Sequence, residues 1–197
     1  MIQHKNNILS TLMNKLSCKY FVIDDFYKNP MEVREFALKQ RYYSHVYHPG
    51  KRTNPLYNED TENYFKLFFN YYDSFDFKFD KKISFNFQYN TSKDISWIHK
   101  DPGKWSAIIF LTPDAPLSGG TGLYTFNYND VEKQDNTNTG DCMELKYGQD
   151  ERRWTLIDSI GNKFNRMVIF KSDEYHKSLD YFGSNIYDGR LMQIFFF

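Results

Sequence analysis

The sequence predicts an α+β domain that is mainly β, with early helices packed on one side of an all-β core. Two observations carry this. Ile83, Phe85, Phe87 and Tyr89 alternate with Ser84, Asn86, Gln88 and Asn90, which is the period of a strand, and further short strand-like runs follow to the C-terminus. Helical spacing is confined to the stretch before residue 73. A third observation agrees: 16 Tyr and 19 Phe in 197 residues favour strands and bury large areas per side chain.

Taken in order, residues 3–16 fit a short helix with Ile8, Leu9, Leu12 and Leu16 on one side. Tyr20 to Asp24 reads as a strand. Asn29-Pro30 is a helix start, a cap residue followed by proline at the first helical position, and Glu32 adds a favourable first-turn charge. That helix is expected to run to about Gln40, with Val33, Phe36, Ala37 and the stem of Arg41 facing inward. Arg41 to Tyr57 reads as an aromatic loop, whose His45 and His48 are expected to face solvent near a pocket rim. Residues 60–72 fit a second helix, with Tyr64, Phe65, Phe68 and Tyr72 at helical spacing. Later strands are expected at Ile83–Tyr89, Trp97–Asp101, Trp105–Thr112, Thr121–Tyr128, Trp154–Ile157, Arg166–Lys171 and Arg190–Phe197. Gly119-Gly120 reads as a turn. The polar stretch 129–153 reads as an insertion or a protruding hairpin.

At 197 residues the chain is expected to form one domain, residues 1–197, long enough to bury a core. Its formal net charge is zero, so no strongly basic face is advertised and nucleic acid is not the expected partner. Cys18 and Cys142 are too few for a disulfide framework, which suits a reducing, cytoplasmic setting. No run is apolar and long enough to span a bilayer, and no membrane association is expected.

The chemistry centres on Trp97-Ile98-His99-Lys100-Asp101-Pro102-Gly103. On an extended strand His99 and Asp101 point to one face, so an imidazole and a carboxylate can reach a single ion. They form two-thirds of the facial arrangement that leaves open positions on a ferrous ion. By itself the pattern is weak, because about 0.4 chance occurrences of His-x-Asp are expected in a chain of this composition. Further along, Arg190 shares a strand face with Met192, Ile194 and Phe196, an inward-facing row. A buried cation needs an anion to offset its desolvation.

Phe21-Val22-Ile23-Asp24-Asp25-Phe26, Asn29-Pro30, residues 83–126 and residues 164–197 together resemble the iron- and 2-oxoglutarate-dependent dioxygenases of the prolyl-hydroxylase-like group. The shared order is His-x-Asp at His99 and Asp101, then Gly119-Gly120-Thr121, then a strand, then His176, then Arg190 on the last strand. The resemblance implies a double-stranded β-helix, a jelly-roll of two facing sheets with iron at its open end. It implies that His99, Asp101 and His176 are the catalytic metal ligands of Fe(II). Arg190 would grip the far carboxylate of the co-substrate 2-oxoglutarate, for which a planar guanidinium is suited. Tyr89 and Ser178 are further co-substrate contacts implied by position. Dioxygen would be consumed, an unactivated C–H bond of the substrate, a small molecule or a peptidyl side chain, would be hydroxylated, and succinate and carbon dioxide would be released. Two departures stand out. The segment Tyr181 to Gly189 lengthens the spacing between His176 and Arg190, and Phe110 stands where relatives often have tyrosine.

Three other readings share the barrel. A non-catalytic metal- or carbohydrate-binding jelly-roll would not need Arg190 on an inward row. A cupin-type isomerase usually clusters histidines, and no His-x-His pair occurs here. A viral or structural jelly-roll would use the 129–153 stretch as an interaction loop.

Overall fold

The structure is a computed structural model that describes residues 19–72, 78–127 and 146–197. The 3–16 helix, both cysteines and most of the 129–153 insertion fall outside the described residues. Ten strands form two antiparallel sheets. They are β1 (Tyr20–Ile23), β2 (Tyr43–His45), β3 (His48–Arg52), β4 (Asn86–Asn90), β5 (Trp105–Phe110), β6 (Thr121–Phe126), β7 (Trp154–Ile160), β8 (Met167–Lys171), β9 (Tyr175–Ser178) and β10 (Arg190–Phe196). The larger sheet has the order β1-β8-β5-β10-β4-β3-β2, and the smaller has β7-β6-β9. Two helices, α1 (Pro30–Leu38) and α2 (Glu59–Tyr72), complete the described elements apart from short 3-10 turns. No helix among the described residues is long and apolar enough to cross a membrane.

At the centre of the larger sheet β10 is buried on both faces, which is why it reads as a largely apolar run rather than an alternation. On the outer face Phe87, Ile109, Met167, Ile169, Leu191 and Phe195 pack against Ala37 of α1 and Phe65 of α2. On the inner face Met192, Ile194 and Phe196 meet Ile83 and Ile108. Register holds the two rows in place: Ile194 lies opposite Ile108 on β5, and Met192 opposite Gln88 on β4.

Phe85 sits at φ 66°, a conformation costly for a bulky side chain. It breaks the expected alternation. Phe85 packs with the outer core while Ile83, two residues earlier, packs with the inner cluster, and the regular strand starts only at Asn86. Ser84 secures the break: its hydroxyl donates to the Phe196 carbonyl and accepts the Phe196 N–H, each at 2.8 Å.

Several expectations need correction. Arg41 to Tyr57 is not simply loop: β2 and β3 form a hairpin that extends the larger sheet beyond β4. Gly50, at φ 70°, lets this hairpin approach β4, where a side chain would meet the Tyr89 carbonyl and the Asn90 amide. Phe36 is half exposed and Arg41 exposed, so neither joins the inward stripe of α1. Arg34 is buried instead, donating to the Leu111 and Tyr187 carbonyls at 2.7 Å each. Asn29 precedes the helix but makes no side-chain capping bond. Residues 97–101 form no regular strand, only one isolated bridge at His99, whereas the unforeseen β9 carries His176.

Phe65 is fully buried, with ring centroids of Phe195, Phe79 and Phe197 at 5.0, 5.4 and 5.5 Å. Phe65→Ala is expected to destabilise the fold by about 3–5 kcal/mol, measured by chemical denaturation. Phe36→Ala, on the half-exposed side of α1, should cost about 1 kcal/mol. Equal losses would place the helix-to-sheet core elsewhere.

Candidate metal centre

His99 and His176 are direct partners across an antiparallel bridge. The His99 N–H donates to the His176 carbonyl at 3.0 Å and the His176 N–H to the His99 carbonyl at 2.9 Å. Residue 176 is fixed by β9, whose pairing sets it opposite Leu123 of β6. Asp101 is fixed two residues beyond His99 by its N–H bond to the Ser172 carbonyl at 2.9 Å. These backbone bonds bring the two imidazoles to 4.5 Å between ring centroids. One ligand atom from each of His99, Asp101 and His176 lies within 4.8 Å of the others.

The ring hydrogens are oriented by the backbone. Nδ1 of His99 lies 2.9 Å from the Trp97 carbonyl, and Nδ1 of His176 lies 2.9 Å from the Glu174 carbonyl. A carbonyl can only accept, so both Nδ1 atoms carry hydrogen and Nε2 is the atom turned to Asp101. The Nε2 atoms stand 3.6 Å (His99) and 3.2 Å (His176) from the Asp101 oxygens. Burial, then the neighbouring His176, pulls His99 down to about 4, so it is neutral at pH 7 with a lone pair on Nε2. Burial alone would raise Asp101, but the charge and hydrogen bond of His176, together with His99 and Ser106, outweigh it and hold the carboxyl at about 2. A neutral imidazole facing an ionised carboxylate across a short gap fits a cation placed between them.

The trio opens into a cavity of about 530 Å³ between the sheets. Its floor and walls come from the inner rows: Asn86 and Gln88 of β4, Ser106 and Ile108 of β5, Met192, Ile194 and Phe196 of β10, with Thr121 and Ser178 from the smaller sheet. Ser178 is therefore at the cavity, opposite Thr121 in register. Arg190 is fully buried on the same strand face as Met192 but stands behind the cavity wall. Its Nε donates to the Gly119 carbonyl at 2.8 Å. One terminal nitrogen lies against Met192 Sδ at 2.7 Å, and the other lies 3.3 Å from both the Gly120 carbonyl and Thr121 Oγ1. Among the described residues no carboxylate pairs with it, and burial pulls it down to about 10, still charged at neutral pH.

Tyr89 is not brought to the cavity. It belongs to the outer face of β4, packed with the helix-side core and 5.2 Å from the Tyr42 ring. The apolar row of β4 turns to the dry side of the sheet and the polar row, Asn86 and Gln88, faces the cavity. Arg52 of β3 and Tyr181 after β9 are among the cavity residues that the sequence reading did not foresee. The only sequence signal for Arg52 was a basic residue just past the Pro49-Gly50 turn. His45 and His48 do lie at the rim, their rings stacked 5.6 Å apart.

No protein-family model and no curated protein sequence matches the chain. Solved structures do match in fold. HygX from Streptomyces hygroscopicus, determined with nickel and 2-oxoglutarate bound, superposes with a TM-score of 0.53 at 8% identity, covering 95% of this chain and 85% of that one. An oxidoreductase of the 2OG-Fe(II) oxygenase family from Burkholderia pseudomallei gives 0.53 at 9% identity, over 97% and 88%. A prolyl 4-hydroxylase from Phytophthora capsici gives 0.51 at 14% identity, over 96% of this chain and 63% of that one. At such identities the likeness is one of fold. This chain has the double-stranded β-helix fold of the 2-oxoglutarate- and iron-dependent oxygenases.

Proposed function

We propose that the chain is an Fe(II)- and 2-oxoglutarate-dependent oxygenase that hydroxylates a small-molecule or peptidyl substrate, with succinate and carbon dioxide as co-products. The observation that carries this reading is the convergence of His99, Asp101 and His176 at the cavity. Two imidazole nitrogens and one carboxylate suit ferrous iron and leave positions free for other ligands. Bound iron, with 2-oxoglutarate and dioxygen, would supply the oxidative decarboxylation and the C–H hydroxylation. The protein's part is to hold and orient. The Trp97 and Glu174 carbonyls keep both Nε2 atoms presented. Ile108, Ile194 and Phe196 give the cavity a water-excluding wall. Arg190 is the residue we assign to the distal carboxylate of 2-oxoglutarate. It is charged, buried and without an acid partner among the described residues, and it touches Met192 and Thr121, which both line the cavity. A thioether is a weak acceptor, so a carboxylate that displaces it gains a charge-assisted bond. Ser178, beside Thr121, is assigned to the same end of the co-substrate.

Anaerobic addition of ferrous iron and 2-oxoglutarate is expected to produce a weak visible metal-to-ligand band, and aerobic turnover to release succinate. His99→Ala and Asp101→Ala should each remove the band and lower succinate formation by more than about a hundredfold, with the near-UV circular dichroism retained. Unchanged turnover in either variant refutes the ligand assignment. Metal binding without any band with 2-oxoglutarate favours a non-catalytic metal-binding jelly-roll.

Arg190→Lys keeps the charge but loses the planar fork, and should weaken 2-oxoglutarate binding by about tenfold, read from titration of the band. An unaltered titration assigns the carboxylate to another residue.

In the metal-free protein, nitrogen-detected NMR should show His99 as the neutral Nδ1–H tautomer from pH 7 down to near its value of about 4. The folded value lies below the unfolded one, so His99 contributes stability that is fully present above pH 6.5 and is withdrawn as the pH falls from 6.5 toward 4. Titration of His99 near 6.5 would show that the ring is not held as described.

A further inference from the structure

An arginine other than Arg190 lines the cavity. Arg52 reaches it from the β2–β3 hairpin, opposite Gln88 on β4. Its Nε and one terminal nitrogen both donate to the same acceptor, Gln88 Oε1, at 2.8 and 2.5 Å. Gln88 is itself fixed, because its amide nitrogen donates to the Pro49 carbonyl and to Asn90 Oδ1, each at 3.2 Å. The hairpin is tied down from the other side by the Gly50 N–H on Asp94, at 3.1 Å. Arg52 is thus a positioned side chain rather than a trailing one.

Its charge is not neutralised locally. Among the described residues no carboxylate forms an ion pair with Arg52; Asp101 acts on it only through longer-range charge. Asp101 is already committed to His99 and His176. A divalent ion in that trio would leave one net positive charge beside Asp101, and Arg52 and Arg190 would raise the total to three, the lining Lys82 and Lys100 being exposed to solvent. A dicarboxylate co-substrate removes two. One positive charge is left over, and leaving half-buried Arg52 without a counter-ion beside a wall of Ile83, Ile108, Ile194 and Phe196 is unfavourable.

We infer that Arg52 recognises a carboxylate on the primary substrate, so that the substrate is an organic acid with an apolar or aromatic body. This rests on the oxygenase reading above and names its substrate class. A guanidinium held at one edge by Gln88 keeps its remaining terminal N–H donors for an oxyanion. Tyr181 lines the same cavity and adds a phenol to its polar lining. Tyr43, Tyr47 and Trp97 at the mouth supply aromatic surface for the body of the acid.

The test uses the full chain loaded with nickel and 2-oxoglutarate, and calorimetry with two acids, phenylacetate and N-acetylphenylalanine, each paired with its amide. At least one acid is expected to bind about tenfold or more tightly than its amide, with affinity falling as salt rises. Arg52→Met should erase that preference, and Arg52→Lys, which retains the charge, should keep part of it. Titration of the visible band on ferrous protein should show 2-oxoglutarate affinity falling less in Arg52→Met than the about tenfold expected of Arg190→Lys, as for a charge that shares the cavity without touching the co-substrate. Equal binding of acids and amides by the wild-type protein overturns the inference, even if Arg52→Met fails to fold. A loss of 2-oxoglutarate affinity in Arg52→Met as large as in Arg190→Lys also overturns it, by giving Arg52 to the co-substrate. Absence of the visible band in wild type would sink the oxygenase reading instead. Acid-over-amide preference on metal-free protein would then still report whether Arg52 binds a carboxylate.

Discussion

The geometry of this protein depends on one pair of backbone hydrogen bonds, those exchanged by His99 and His176. They join a segment with no regular structure of its own to a strand of the smaller sheet. Because directly opposed residues project side by side from an antiparallel pair, the bridge fixes the imidazoles as neighbours before any ion is considered. The Trp97 and Glu174 carbonyls then fix which nitrogen each ring presents. Backbone groups set both position and orientation, so the trio is preorganised rather than assembled by its ligand.

A second constraint is that the two faces of the larger sheet are covered in different ways. Its outer face is closed by α1 and α2 around Phe65 and Phe195. Its inner face is shared between apolar side chains and a cavity lined by Asn86, Gln88 and Ser106. Charges placed on the inner side cannot be relaxed by water as surface charges are. Arg52 and Arg190 are held there by neutral partners, a glutamine amide, backbone carbonyls, a thioether and a hydroxyl. Neutral partners satisfy hydrogen-bonding geometry but leave the charge uncompensated. The site is electrostatically matched to anions, and the oxygenase chemistry proposed for it uses an anionic co-substrate.

Much of this was legible from residue order. Strand period placed β4 and β10, and parity put Arg190 on the row of Met192, Ile194 and Phe196, as the structure has it. His99, Asp101 and His176 were named from spacing and resemblance, and they do come together. Tyr89, a co-substrate contact only by its position in the sequence, lies elsewhere for a physical reason: a polar cavity takes the polar row of β4 and leaves the aromatic row to the helices. The β2–β3 hairpin was read as loop because its residues are polar and largely accessible, so they carry no alternation to detect.

The sequence by itself determined what depends on local period and residue chemistry: the two helices and the strands with a clear period, which side chains can bind a metal, and which strand face carries Arg190. Only the tertiary structure decided which face of each strand meets the cavity, that His99 and His176 exchange backbone bonds, and that Arg52 reaches the site from a hairpin some fifty residues before the metal trio. The reason is that period reports which residues share a side, whereas the identity of that side is set by what the other sheet and the helices cover.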